Sequence, residues 1–316
     1  MSLRVALIGG RGYTGAEWLG LLAGHPGLSL AFASSESHPG TALAEVCPGW
    51  PDPAATFICI GPGDTAGQHA DAWVLAVPNG AAGEWAAAIR AADPHTVILD
   101  LSADHRFDKG WTYGLPERFR ADLRQSRNIA NPGCYATGAQ LALLPLKDRL
   151  DGVPVVFGVS GFSGAGRKPG ERNDPERLRD NLIPYRLNGH LHEQEVSHQL
   201  QREIRFIPHV AGFFRGISLT VSANLDRTMS ETELSGVFRE HYRDEARVKV
   251  LDGIPEISGV RNTPDIHIGG FSVDRRNPRR VSWVAALDNL SKGAASQAMQ
   301  NLNLALQLDE NLGIAR

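Results

Sequence analysis

The sequence predicts an α/β fold in which a doubly wound parallel sheet is followed by a second, α+β domain built on a mostly antiparallel sheet. Three observations carry that expectation. Apolar runs of strand length alternate with helix-length segments over the first hundred residues. Those runs are continuous rather than alternating, as in strands buried on both faces. From about residue 153 the texture changes to β-branched runs, several of them alternating.

Residues 3–8 (LRVALI) read as a buried strand and 13–24 as a helix, with Leu19, Leu21 and Leu22 inward and Gly24 ending it. Strands follow at 28–33 and 73–77, then an Ala-rich helix at 80–92 and a fourth strand at 96–101. In the second half, strands are expected at 153–159, 204–210, 217–225, 267–273 and 280–287, covered by helices at about 193–201, 230–243 and 289–309. The Gly-rich stretch 158–175 reads as a long functional loop.

At 316 residues the chain is long enough for two domains. Lys plus Arg number 32 against 35 Asp plus Glu, so no basic excess exists to hold a nucleic-acid backbone or an anionic membrane. The longest charge-free stretch, 128–146, contains Asn128, Asn131, Pro132, Gln140 and Pro145, which argues against a membrane span. Cys47, Cys59 and Cys134 form no C-x-x-C pair, and the amino end lacks the pattern of a signal peptide; both point to the cytoplasm.

Gly10-Arg11-Gly12-Tyr13-Thr14-Gly15 spells G-x-G-x-x-G between the first strand and the first helix, where backbone N–H groups at a helix start can cradle a pyrophosphate. This makes the amino-terminal half a Rossmann-like dinucleotide domain. At the tip of the second strand stand Ser34 and Ser35, whose hydroxyls suit the 2′-phosphate of NADP; Glu36 beside them suits the bare ribose of NAD. Cys134, in Asn131-Pro132-Gly133-Cys134, opens a predicted helix, and the positive end of the helix dipole favours a nucleophilic thiolate there. His190 and His192 stand before another helix and offer an acid/base partner; the H-E-x-x-H zinc pattern fails at its second His, and no metal site is expected. Ser160–Arg167 holds the ingredients of an anion nest, and Arg106, after the fourth strand, can clamp a phosphate or carboxylate. His25, His69, His105 and His241 read as ordinary surface residues.

Taken in order, GGRGYTGAE (9–17), AVPNG (76–80), DLSADHRF (100–107), NPGCYAT (131–137), SGFSGAGR (160–167), GHLHEQEV (189–196) and LDNLSKGAASQAMQNLNLAL (287–306) give the chain its resemblance, over nearly its whole length, to the N-acetyl-γ-glutamyl-phosphate reductase family of the semialdehyde dehydrogenase superfamily. The resemblance implies a glyceraldehyde-3-phosphate-dehydrogenase-like architecture. It divides the chain into an NADP-binding domain (1–133), a catalytic and dimerisation domain (134–288) and a terminal helix (289–316) that returns to the first domain. It also implies NADPH-dependent reduction of an acyl phosphate in arginine biosynthesis, by a homo-oligomer, dimer or tetramer. Cys134 matches the nucleophile, His190 the acid/base and Glu195 a carboxylate that orients it, while Arg106, His192 and Arg215 match substrate contacts. Cofactor contacts fall on Gly9, Gly12, Tyr13, Thr14, Gly15, Ser34, Ser35, Pro78, Asn79, Ser163, Gly164 and Asn289. The stretch between Arg106 and Cys134 is shorter than in many members, which leaves an aminoadipyl-phosphate reductase open. Aspartate-semialdehyde dehydrogenase and a non-catalytic nucleotide-binding protein are the other readings.

Overall fold

Residues 2–314 are described by a computed structural model, and the chain divides into two units. One holds the residues up to 132 together with those from 294 onward, the other residues 133–293.

The first unit is built on six parallel strands, β1 (Leu3–Ile8), β2 (Leu28–Ala33), β3 (Ala72–Leu75), β4 (Val97–Asp100), β5 (Thr112–Tyr113) and β6 (Asn128–Ala130), in the order β2-β1-β3-β4-β6-β5. Its helices are α1 (Tyr13–Ala23), α2 (Ala82–Ala92), α3 (Pro116–Leu123) and α8 (Ser296–Ala305). Successive strand residues point to opposite faces, and both faces are covered. Val5, Leu7, Val74 and Leu99 pack with Trp18 and Leu19 of α1 and Met299 and Leu302 of α8. Ala6, Ile8, Trp73, Leu75 and Ile98 pack with Trp85 and Ile89 of α2. Two-sided burial is why the strands read as unbroken apolar runs. Each fully buried Leu or Ile contributes roughly 1.5–3 kcal/mol.

Two histidines expected at the surface are structural instead. His25 is 6% exposed; its Nδ1 accepts the Leu28 N–H at 2.9 Å and its Nε2 lies 3.1 Å from Asn303 Oδ1 of α8. His105 Nδ1 lies 2.7 Å from Asp100 Oδ2, and its ring stacks on Trp111 with centroids 3.8 Å apart. The helix expected over 289–309 begins instead as a wide π turn, Ser291–Ala295, before α8. Positions 315 and 316 of the expected terminal segment lie outside the described residues.

The second unit contains α4 (Cys134–Leu143), β7 (Leu150–Gly161), α5 (Pro175–Leu178), β8 (Leu182–Pro184), α6 (Leu191–Leu200), β9 (Arg205–Ala211), β10 (Ile217–Leu225), α7 (Glu231–His241), β11 (Val248–Val250), β12 (Ile266–Val273) and β13 (Arg280–Leu287). The strands form one sheet, β11-β12-β13-β10-β7-β9-β8, antiparallel except for the β7–β9 and β11–β12 pairs. Helix α4 lies close against it because residue 138 is glycine: a Cβ there would stand 2.6 Å from Leu219 Cδ1 and 2.8 Å from Leu287 Cδ2. Two carbonyls near its carboxyl end, which the helix itself leaves without partners, accept side-chain donors. Tyr242 OH donates to Leu141 O at 2.6 Å and Trp283 Nε1 to Ala142 O at 2.8 Å. The helix that carries Cys134 is therefore anchored at its far end. Among the described residues, no helix is long and apolar enough to cross a membrane.

Candidate active site

Cys134 is the first residue of α4. Gly133 before it caps the helix in an extended conformation (φ −70°, ψ 150°), with no side-chain cap and no acidic residue in the first turn. The half-buried thiol thus stands at the electropositive end of the helix. Two features fix its position. The Gly133 N–H donates to Oε1 of Glu195, a fully buried carboxylate on α6, at 2.9 Å. On another side Gly293 leaves room: a Cβ there would lie 2.8 Å from the Cβ of Cys134.

Helix α6 is capped by His190, whose Nδ1 accepts the His192 N–H at 3.1 Å. With Nδ1 committed as an acceptor, the neutral ring carries its proton on Nε2. Burial, reinforced by the nearby Arg186 and Arg172 cations, lowers the His190 pKa to about 4. At neutral pH the residue is therefore an uncharged N–H donor. The Tyr135 ring lies edge-on to His190 (6.5 Å between centroids) and tilted to His192 (5.9 Å), and its hydroxyl donates to His209 O at 2.7 Å. Tyr185, edge-on to His190 at 5.6 Å, carries the Arg172 guanidinium over its face at 4.8 Å. Burial, with negative charge at Cys134 as a further cause, raises the Tyr185 phenol to about 12, and burial also lifts Tyr135, so both stay protonated.

Cys134, His190, His192, Ser160, Gly164 and Arg172 all border one cavity of about 90 Å³. Of the residues singled out in the sequence, the structure brings Cys134, His190, His192 and Gly164 to this cavity, with Glu195 bonded behind it. Tyr185 and Arg172 carry no motif: Arg172 stands in the Gly-rich loop, which has no periodicity to read, and Tyr185 follows β8, a strand of three residues and too short to leave a pattern. Ser163 and Asn289 form a buried pair, Asn289 Nδ2 donating to Ser163 Oγ at 2.9 Å while its Oδ1 accepts the Gly216 N–H at 2.7 Å.

Arg215, matched by resemblance to a substrate contact, makes a two-pronged ion pair with the fully buried Asp288 at 2.7 and 3.1 Å. Asp288 also accepts the N–H groups of Asn262 and Leu290 at 2.6 and 2.9 Å. In the other unit, Arg106 is 8% exposed and its Nε donates to Asn131 O at 2.9 Å. Both guanidinium groups are thus tied to protein acceptors.

Also in the first unit, the glycine turn fits a dinucleotide phosphate. Gly9 has φ +78°, and a Cβ on it would stand 2.4 Å from Ala76 O; at Gly15 the corresponding approach is 2.6 Å to Gly10 O. Only glycine permits that tight path. At Gly12 a Cβ would meet nothing within 4 Å, and no side chain caps α1 there, so the start of the helix is open to an anion. Tyr13 and Thr14, half-buried, begin that helix. Ser34 and Ser35 are each 4% exposed, and the Ser34 hydroxyl accepts the Gly9 N–H at 3.4 Å, supporting the turn. The cation at this rim is Arg11, whose guanidinium contacts His38. Pro78 and Asn79 are exposed at the end of β3, where Asn79 Oδ1 accepts the Ala103 N–H at 3.1 Å.

Residues 4–126 match the family model described as semialdehyde dehydrogenase, NAD binding domain, and residues 134–289 match semialdehyde dehydrogenase, dimerisation domain. The chain is 47% identical, over 97% of its length and 96% of the relative's, to a protein named N-acetyl-gamma-glutamyl-phosphate reductase from Xanthomonas campestris pv. campestris (strain B100). A protein of the same name from Stenotrophomonas maltophilia (strain R551-3) is likewise 47% identical over the same shares. Among solved structures, aspartate semialdehyde dehydrogenase II complexed with ASA from Vibrio cholerae has a TM-score of 0.77 at 18% identity, covering 97% of this chain and 99% of that one. That likeness is one of fold.

Proposed function

The chain belongs to the N-acetyl-γ-glutamyl-phosphate reductase family of semialdehyde dehydrogenases, and from that premise we infer that it reduces N-acetyl-γ-glutamyl phosphate to N-acetylglutamate 5-semialdehyde and phosphate with NADPH, in arginine biosynthesis. One observation supports the chemistry most: a cysteine at a helix start that no side chain caps borders the same small cavity as two histidines.

The Cys134 sulfur adds to the γ-carbonyl carbon, the bond from that carbon to the phosphate oxygen breaks, and phosphate leaves with the electron pair. A thioester remains on Cys134. NADPH, when bound, supplies the hydride that reduces this thioester. His190 donates its Nε2–H to the carbonyl oxygen as charge gathers there, and scission of the C–S bond releases the aldehyde and restores the thiolate. A neutral donor suits this task, because it stabilises the oxyanion without first pairing with the sulfur as a cation. Glu195 acts through the Gly133 N–H, holding the turn from which Cys134 projects.

Gly9, Gly12, Tyr13, Thr14 and Gly15 hold the cofactor's pyrophosphate, with Pro78 and Asn79 beside it and Ser34 and Ser35 shaping the turn. Ser163, Gly164 and Asn289, matched by the resemblance to cofactor contacts, stand in the unit that carries Cys134, with Gly164 at the edge of its cavity. The dimerisation domain supports a homo-oligomer, and sparse cysteines without disulfides support a cytoplasmic enzyme. The test is the reverse assay. N-acetylglutamate semialdehyde, phosphate and NADP⁺ should yield NADPH, with NAD⁺ less effective; no reduction at saturating substrates would overturn the reading.

A further inference from the structure

Beside the catalytic cavity, and sharing Ala165, Arg172 and Tyr185 with it, lies a larger one of about 520 Å³. Its wall carries the cations Lys168, Arg172, Arg177 and Arg186 and a single carboxylate, Glu171. Glu171 is already bound to Arg177 at 2.8 Å. Among the described residues, Lys168, Arg172 and Arg186 have no carboxylate within ion-pair distance. A chain of net charge −3 thus gathers three unmatched cations in one hollow next to its nucleophile. The Arg172 guanidinium stands over the Tyr185 ring, 4.8 Å from its centre, at the border that the two cavities share.

The catalytic cavity is much the smaller of the two, about 90 Å³ against 520 Å³. With the reacting carbonyl at Cys134, the part of the substrate that ends in its α-carboxylate finds complementary charge in the adjoining hollow. Arg106 and Arg215, which the resemblance suggests for this task, are tied to Asn131 O and Asp288.

We propose that Arg172, with Arg186 and Lys168, binds the α-carboxylate of the acyl-phosphate substrate and so delivers its reactive end to Cys134. The inference rests on the reductase reading above, and binding measurements separate the two. In the Cys134→Ser enzyme, calorimetric Kd values are compared for N-acetylglutamate semialdehyde and its α-carboxamide. The carboxylate should bind on the order of 10–10²-fold more tightly. Arg172→Gln should reduce that ratio about tenfold or more, Arg172→Lys should restore part of it, and Arg186→Gln and Lys168→Gln should each reduce it by smaller factors. A ratio near one in the Cys134→Ser enzyme, or one left intact by all the Gln variants, would overturn the proposal. So would an intact ratio with weakened binding of inorganic phosphate, which would assign the hollow to the leaving group. Because binding is the readout, absence of turnover in the unsubstituted enzyme would count against the reductase reading alone.

Discussion

A single carbon added at Gly293 would test how tightly the nucleophile is held. A Cβ there would lie 2.8 Å from Cys134 Cβ, 3.2 Å from Cys134 Cα and 3.2 Å from Asp288 O. Ordinary contact begins at 3.4 Å, so the structure must open by several tenths of an ångström. Helix α4 is pinned at its far end by Tyr242 and Trp283, and the turn holding Gly293 is tied to Asp288 by the Gly293 N–H at 2.8 Å, so neither side yields freely. Gly293→Ala should therefore cost about 1–3 kcal/mol of stability through overpacking. Misplacement of the sulfur should lower kcat on the order of 10–10²-fold. The matched control is Gly236→Ala in α7, an exposed helical position with nothing within 4 Å of the added carbon. That change should leave kcat unaltered and gain roughly 0.5–1 kcal/mol. Urea unfolding and steady-state turnover in the NADP-reducing direction measure both quantities. If Gly293→Ala keeps kcat within twofold of the parent, the close packing against Cys134 does not position it.

Asp288→Ala should destabilise the chain by about 3–5 kcal/mol, because it leaves the Arg215 cation and three backbone N–H groups, those of Asn262, Leu290 and Ser291, without their acceptor; a urea midpoint close to the parent's would contradict this. Arg11, the cation at the rim of the glycine turn, is expected to favour the extra phosphate of NADP⁺: Arg11→Ala should weaken NADP⁺ binding about tenfold while changing NAD⁺ binding little, as read by fluorescence titration, and equal weakening of both would show that Arg11 does not tell them apart. His190 is held neutral in the folded chain, with a pKa of about 4 against an ordinary 6.5, so its contribution is complete above about pH 6.5 and is lost as the pH falls towards 4. Stability should decline over that window by up to about 3 kcal/mol. His190→Asn, which keeps a capping side chain, should flatten that part of the profile; an unchanged slope would show that other groups cause it.

Much of the scaffold was legible because it rests on local rules. β1, the glycine turn and α1 stand where the apolar run, the G-x-G-x-x-G spacing and Gly24 place them, and the long strands of the second sheet lie where β-branched runs predict. Cys134 could be read as opening a helix because Pro132 and Gly133 precede a helix-forming stretch. Residues 108–130 held no such signal: β5 and β6 are two and three residues long, and α3 is short and polar. Charges were legible as charges but not as partners. Arg215 finds Asp288, 73 positions on, and Ser34 turns back to Gly9, 25 positions earlier, through tertiary contacts that no local pattern encodes. The same holds for His190, whose place before α6 was visible but whose cap, which fixes the ring's proton, required the backbone of the helix.

The proposed chemistry stands or falls on the acyl group passing to Cys134. Mixing the enzyme with one equivalent of N-acetyl-γ-glutamyl phosphate in the absence of NADPH, then measuring intact mass and mapping peptides, should show release of one phosphate and one acyl adduct on the peptide containing Cys134. Cys134→Ser should show neither while still binding NADPH. An adduct on another residue, or turnover by Cys134→Ser near that of the parent, would contradict it.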